Sequence, residues 1–145
     1  MHEWSLAEVI LESLKSLVKQ EKARSLIEVE ISYGEMMELE PEILEFALED
    51  LSKDANLGNP RFLLSEERSY FKCNSCGYRW ELEEAHKQLS EDLGILEEPT
   101  GEKESPLHFI PDLVQVFMKC PRCGSRDFEV ESGRTIKITR VVFEK

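Results

Sequence analysis

Two short cysteine arms constrain this chain more than any other feature. They read Cys73-Asn74-Ser75-Cys76-Gly77 and Cys120-Pro121-Arg122-Cys123-Gly124. Each is C-x-x-C followed by glycine. At that spacing a tight turn points two sulfurs at one ion, and the glycine lets the backbone curl and aim N–H groups at the thiolates. Four thiolates satisfy tetrahedral zinc and leave no coordination position open, which makes such a centre structural rather than catalytic. The arms lie 43 residues apart, where zinc sites more often use about 15–20. The longer loop costs on the order of 1 kcal/mol in closure entropy. Structural zinc contributes roughly 10–16 kcal/mol in peptide systems, so the loop does not preclude the site. Iron would accept the same four sulfurs. A thioredoxin-like redox pair needs a single C-x-x-C opening a helix, and neither arm fits that pattern. Two disulfides are the remaining reading.

The rest of the chain bounds what the cysteines can serve. Its 145 residues carry 18 basic and 30 acidic side chains, a net charge of −12. That length fits one domain, or a small domain plus a metal-stapled module. Such acidity opposes general binding to nucleic acid, which needs a basic face. No apolar run approaches the roughly 18 residues of a membrane span. The start, Met1-His2-Glu3-Trp4, lacks the basic stretch and apolar core of a signal peptide. A cytoplasmic protein is expected, and there paired cysteines point to metal before disulfides.

Periodicity supplies the scaffold. Leu6, Val9, Ile10, Leu14, Leu17 and Val18 predict an amphipathic helix over 5–20, with Ser5 and Glu8 as a capping box. Residues 26–33 alternate as a half-buried strand, with Ile27, Val29, Ile31 and Tyr33 on one face. Gly34 is a turn. Glu40-Pro41 opens a second helix with the stripe Leu44, Ala47, Leu48 and Leu51, ended by 57–60. Strands follow at 61–66 and 135–143, the last with Ile136, Ile138 and Val142 inward. The fold class is α+β: a small three-stranded sheet covered by two helices, with an inserted zinc-ribbon-like module. Residues 1–67 plus 131–145 form the α+β domain, and 68–130 form the zinc-binding domain with an acidic insert.

Within that module the arms are locally basic, with Arg68, Lys72, Arg79, Lys119, Arg122 and Arg126. These offset the double negative charge of a zinc tetrathiolate. Residues 81–105 instead carry nine acids against Lys87 and Lys103, over half of the net charge. Glu81 to Leu93 is a candidate helix, and Glu97 to Ser105 a solvated loop.

The N-terminus holds the second informative feature. His2 offers a ring nitrogen, its own backbone nitrogen and the adjacent α-amine. The Glu3 amide completes four in-plane nitrogens, a geometry preferred by Ni(II) and Cu(II). Read from its chemistry alone, one terminal histidine is a solvated side chain.

Met1-His2-Glu3 directly before a Ser-Leu helix start, followed by the two C-x-x-C arms, resembles the HypA family of nickel-incorporation proteins for hydrogenase maturation. The resemblance extends over the opening helix, the Glu-rich strand, the Glu40-Pro41-Glu42 helix, the arms and the closing strand. It implies a metallochaperone. Ni(2+) would be transient cargo held through His2, the Met1 amine and the Glu3 backbone nitrogen, and Zn(2+) would be structural on Cys73, Cys76, Cys120 and Cys123. The implied partners are the nucleotide-hydrolysing maturation protein HypB and the hydrogenase large subunit or its maturation complex; some family members also serve urease. The chain departs from many relatives in its long acidic insert. His108, in a proline-flanked apolar patch near the second arm, is a candidate supplementary nickel ligand beside the simpler reading of a packed loop histidine. His86 reads as solvated. The exposed face of the first helix is the expected docking surface, with Arg24 and the Glu-rich strand contributing.

A second function class competes. A zinc-ribbon adaptor in transcription or translation would use the basic arms and stack bases on Tyr70, Phe71, Tyr78 and Trp80. The alternative for those aromatics is a small core around the metal. No nucleophile–base set, phosphate loop or open metal site points to an enzyme, so nucleotide energy would come from a partner.

Overall fold

The computed structural model describes residues 2–85, 87, 96, 97, 103, 104 and 118–145. Met1, His86 and His108 lie outside the described residues. The chain divides into two compact units, the first of 1–33, 39–65 and 136–145, the second of 34–38 and 66–135. The bounds expected from sequence differ at 34–38, 66–67 and 131–135.

The first unit is a helix pair on a three-stranded sheet. Helix α1 spans Glu3–Glu21 and α2 spans Pro41–Asp54. Strands β1 (Ser25–Gly34), β2 (Arg61–Glu67) and β8 (Ile136–Glu144) form the sheet in the order β2-β1-β8, with β1 and β8 antiparallel. Ala7, Ile10, Leu11 and Leu14 of α1 meet Leu44, Ala47 and Leu48 of α2 over Leu26, Val29, Ile31 and Phe62. Each such side chain, fully buried, is worth about 1.5–3 kcal/mol when it is a leucine, isoleucine, valine or phenylalanine. Pro41 sits in the first turn of α2, where its missing N–H costs nothing.

Three local expectations need correction. Helix α1 begins at Glu3 with His2 as its N-cap, two residues before the expected capping box, and the His2 side chain makes no capping bond. The Leu6 N–H donates to the His2 carbonyl at 2.9 Å. Glu3, which lies ahead of the helix expected over 5–20, is 2% exposed. An acid in the first turn suits the positive end of the helix dipole, and its burial draws the helix start forward. The inner face of β1 also differs. Ile27 is 51% exposed and Leu26 is buried, because a bulge lets Leu26 and Glu28 pair with the adjacent Phe143 and Val142, leaving Ile27 extra. A second bulge leaves Thr139 extra between Arg140 and Ile138. Beyond it Val141 and Phe143 pack on the core, in place of the expected Val142.

The second unit holds strands β3 (Tyr70–Cys73), β4 (Arg79–Glu81) and β7 (Phe128–Val130), in the order β4-β3-β7 and antiparallel throughout. A 3-10 turn at Glu35–Met37 belongs to it and brings Met36 into its core. Gly133 is its hub. Its carbonyl accepts the Met36 N–H at 3.0 Å and the Ser69 hydroxyl at 3.1 Å, and its own N–H donates to Glu67 at 2.8 Å. At φ +82° it is in the left-handed region, and a Cβ there would collide with Ser69.

Of the candidate helix over Glu81–Leu93, Glu81 instead ends β4, residues 82–85 and 87 are helical, and the remainder lies outside the described residues. Part of the expected solvated loop is a ribbon: β5 (Leu96–Glu97) pairs antiparallel with β6 (Lys103–Glu104). No helix among the described residues is long and apolar enough to cross a membrane.

Candidate metal centre

The two arms fold into turns of the same hydrogen-bond pattern. In the first, the Cys73 N–H donates to the Tyr78 carbonyl at 2.8 Å and the Gly77 N–H to the Cys73 carbonyl at 3.0 Å. In the second, the Cys120 N–H donates to Ser125 at 2.8 Å and the Gly124 N–H to Cys120 at 2.9 Å. Gly77 and Gly124 take φ of +80° and +77°, which glycine adopts without strain. Backbone N–H groups then reach the sulfurs: Ser75 and Cys76 donate to Cys73 Sγ at 3.3 and 3.4 Å, and Arg122 to Cys120 Sγ at 3.4 Å.

The sheet brings the arms together despite their separation in sequence. β3 runs into Cys73 and pairs there with Phe128 of β7, just past the second arm. The Asn74 backbone N–H donates to the Asp127 carbonyl at 2.9 Å, and its side-chain amide to Asp127 Oδ1 at 3.0 Å. Ser75 and Ser125 share a hydroxyl hydrogen bond at 3.0 Å.

All four sulfurs lie within 4.8 Å of one another. Across the arms, Cys73 faces Cys123 at 3.5 Å and Cys76 faces Cys120 at 3.7 Å. A disulfide needs about 2.05 Å, and all four cysteines are free. A tetrahedron with metal–sulfur bonds of about 2.3 Å has edges of about 3.8 Å, so this donor set fits a soft, four-coordinate ion. Cys73 and Cys120 are buried, whereas Cys76 and Cys123 are exposed.

The electrostatics point the same way. The Cys76 N–H holds the Cys73 thiol down to about 6 against burial, with Ser75 and the neighbouring thiols helping. At Cys123 the Ser125 N–H favours the thiolate, but sharing a proton with Cys73, burial and the other two cysteines outweigh it and push the thiol up to about 12. Four sulfurs this close ionise together only around a cation.

Two of the four aromatic candidates for base stacking are core. Phe71 and Trp80 are buried and stack at 5.6 Å, and Phe128 packs edge-on against both. Tyr78 packs against the same cluster, and Tyr70 lies under Arg79 at 5.0 Å. The basic arms are drawn to local acids: Arg79 Nε donates to Glu131 at 2.7 Å and Arg68 lies 3.6 Å from Glu81.

The first unit places His2 exposed at the N-cap of α1. Burial pushes the Glu3 carboxyl up, but hydrogen bonds, including those from the backbone N–H groups of Glu3 and Glu40, hold it below the usual carboxylate range. Glu3 thereby links the start of α1 to the N-cap of α2. Periodicity missed this anchor because an acid reads as solvent-facing. Also unanticipated is an acidic hollow of about 450 Å³ in the second unit, lined by Glu35, Glu38, Glu66, Glu81 and Glu83 around Arg68. Burial, with Glu66 and Glu81 nearby, pushes the Glu35 carboxyl up although the Ser69 N–H favours its ionised form.

Comparison with known proteins gives a consistent result. Residues 1–143 match the family described as "Hydrogenase/urease nickel incorporation, metallochaperone, hypA". The hydrogenase maturation factor HypA of Pyrococcus horikoshii is 36% identical over 145 residues, spanning all of this chain and 97% of its own. The factor of the same name from Thermococcus onnurineus is 35% identical, with the same coverage. The solution structure of the nickel metallochaperone HypA from Helicobacter pylori superposes with a TM-score of 0.58 at 12% identity, over 99% of this chain and 98% of that one. This last likeness is one of fold.

Proposed function

The chain belongs to the HypA family of hydrogenase maturation metallochaperones, and on that premise we propose that it carries Ni(II) at its N-terminus and delivers it to nickel–iron hydrogenase. The donors are the Met1 α-amine, the backbone and ring nitrogens of His2, and the Glu3 amide nitrogen. One observation carries this reading: His2 is exposed at the N-cap of α1 while Glu3 beside it is buried. The first N–H groups of a helix have no intrahelical acceptor, so a metal at the Glu3 nitrogen displaces only that N–H's bond to the Glu3 carboxylate. The buried Glu3 side chain holds that backbone in place while the donors of residue 2 stay open to solvent.

Four in-plane nitrogens suit Ni(II) and Cu(II), and four thiolates suit zinc. Two chemically distinct sites let one chain keep a resident ion and exchange another. Cys73, Cys76, Cys120 and Cys123 hold structural zinc, which neutralises thiolate charge and pins β3 to the second arm. Nickel competes with protons for imidazole and amide nitrogens, so acid weakens its binding. The protein acts as a stoichiometric carrier rather than a catalyst. It works in the cytoplasm, where thiols stay reduced, and draws nucleotide energy from the maturation protein HypB before the hydrogenase large subunit receives the ion. His108 is proposed as a supplementary ligand that closes on nickel when a partner binds. Burial of Phe71 and Trp80 opposes the nucleic-acid adaptor, which needs those rings free to stack on bases.

The test is nickel titration of the chain with a free Met1 against the same chain carrying two extra residues ahead of it. Loss of nickel binding in the extended chain is expected, because the α-amine is consumed. Unchanged affinity contradicts an N-terminal site.

A further inference from the structure

The helix pair of the first unit leaves an aromatic patch uncovered. Trp4 is 43% exposed, Phe46 61% and Ile43 39%. Trp4 and Phe46 hold each other edge-to-face, with centroids 6.0 Å apart and planes at 79°. Two rings fixed in this way lose little conformational freedom on binding, as a contact surface requires. Leu11 and Leu51 line a groove of about 190 Å³ between the same two helices, with Glu8, Glu12 and Asp54 on its sides. Glu8 and Leu11 of the groove lie one and two helical turns beyond Trp4, and Leu51 and Asp54 two and three turns beyond Ile43, so patch and groove share one face.

The rim of that face selects the occupant. Exposed carboxylates surround it: Glu8 and Glu12 on α1, and Glu42, Glu49, Asp50 and Asp54 on α2. Its two lysines do not cancel them. Lys15 is already bonded to Glu12 at 2.9 Å, and Lys53 stands alone on α2. A second copy docked by a two-fold axis would set one acidic rim against the other. Anionic lipid and nucleic acid are repelled for the same reason.

We propose that the Trp4–Ile43–Phe46 face is a docking surface for a cationic amphipathic segment of a protein partner, its apolar side on the aromatic pair and its Lys or Arg side on the carboxylate rim. This inference concerns the partner and does not depend on which metal His2 holds. Its test uses the full chain and two synthetic helical peptides of about five turns, roughly 18 residues. Both carry leucine at helical spacing; one has lysine on its other face and the second has glutamate there. The lysine peptide binds the wild type, and more weakly as salt rises. The Phe46→Ser variant and the Glu8→Lys, Glu12→Lys double variant each lose about tenfold or more in affinity, with circular dichroism unchanged. Failure of the lysine peptide to bind the wild type overturns the proposal, as does equal binding of the two peptides or equal affinity in the variants. A wild-type dimer that Phe46→Ser converts to monomer also overturns it, because the occupant is then a second copy.

Discussion

Cys73 and Cys123 face each other at 3.5 Å, yet their surroundings drive them apart chemically. Backbone donors hold Cys73 down to about 6, and the crowd of thiols pushes Cys123 up to about 12. At pH 7.5 Cys73 is therefore already a thiolate in the metal-free chain. Zinc binding at that pH is expected to release one proton fewer than four protonated thiols would. Calorimetry in buffers of different ionisation enthalpy measures the number, and release of all four would contradict the Cys73 assignment. As pH falls through about 6 this thiolate is protonated and its advantage is lost. Glu35 runs the other way. Its carboxyl is raised by burial and by Glu66 and Glu81, so its ionised form costs stability at neutral pH. The cost disappears as pH falls from above its raised value to below the ordinary carboxylate value. Glu35→Gln is expected to raise the melting temperature at pH 7 and leave it unchanged at pH 4; no change at pH 7 would contradict the assignment. At this scale the four cysteines were legible from spacing alone, since C-x-x-C-Gly encodes its own turn. Glu3 and Glu35 were not, because groups that act on them, the Glu40 N–H on the one and the Glu66 carboxyl on the other, are distant in sequence.

The helices and strands of the first unit were legible to within a few residues, and the two misread strand faces share one cause. A strand's alternation predicts its inner face only while the count stays even. The bulges at Ile27 and Thr139 each insert one residue and reverse the faces beyond them. Nothing in the local sequence marks either bulge, as both arise from pairing across more than a hundred residues. Leu26→Ala is therefore expected to cost about 2–5 kcal/mol in a denaturant midpoint, whereas Ile27→Thr is expected to stay within about 0.5 kcal/mol. Equal effects would refute the reversed face. Met36 was missed for a related reason: the 3-10 turn carries it into the metal-binding unit's core. The Gly133 hub makes this connection sensitive. Gly133→Ala combines left-handed strain, itself about 1–3 kcal/mol, with a collision at Ser69. Melting should fall by several degrees, and a neutral substitution would contradict the close approach.

At the scale of the molecule, the α+β class followed from periodicity and the cysteine arms, and the extra sheet of the metal-binding unit did not. Its strands are three or four residues long, too short for a period-2 signal to rise above the turn residues around them. The two cores differ in what sustains them. The first is largely aliphatic and contains no cysteine; the second includes Cys73 and Cys120 as members. Without an ion, two buried thiols would lie unneutralised in the core that holds Phe71, Trp80 and Phe128. The central claim is that the two metals occupy separate sites, nickel at the chain's start and zinc among the sulfurs. Mass-spectrometric counting of both metals in the wild type and in His2→Ala tests it most directly. The account predicts about one zinc and one nickel per wild-type chain, and in His2→Ala about one zinc with nickel lost. Nickel retained by that variant, or zinc lost along with it, would contradict the account.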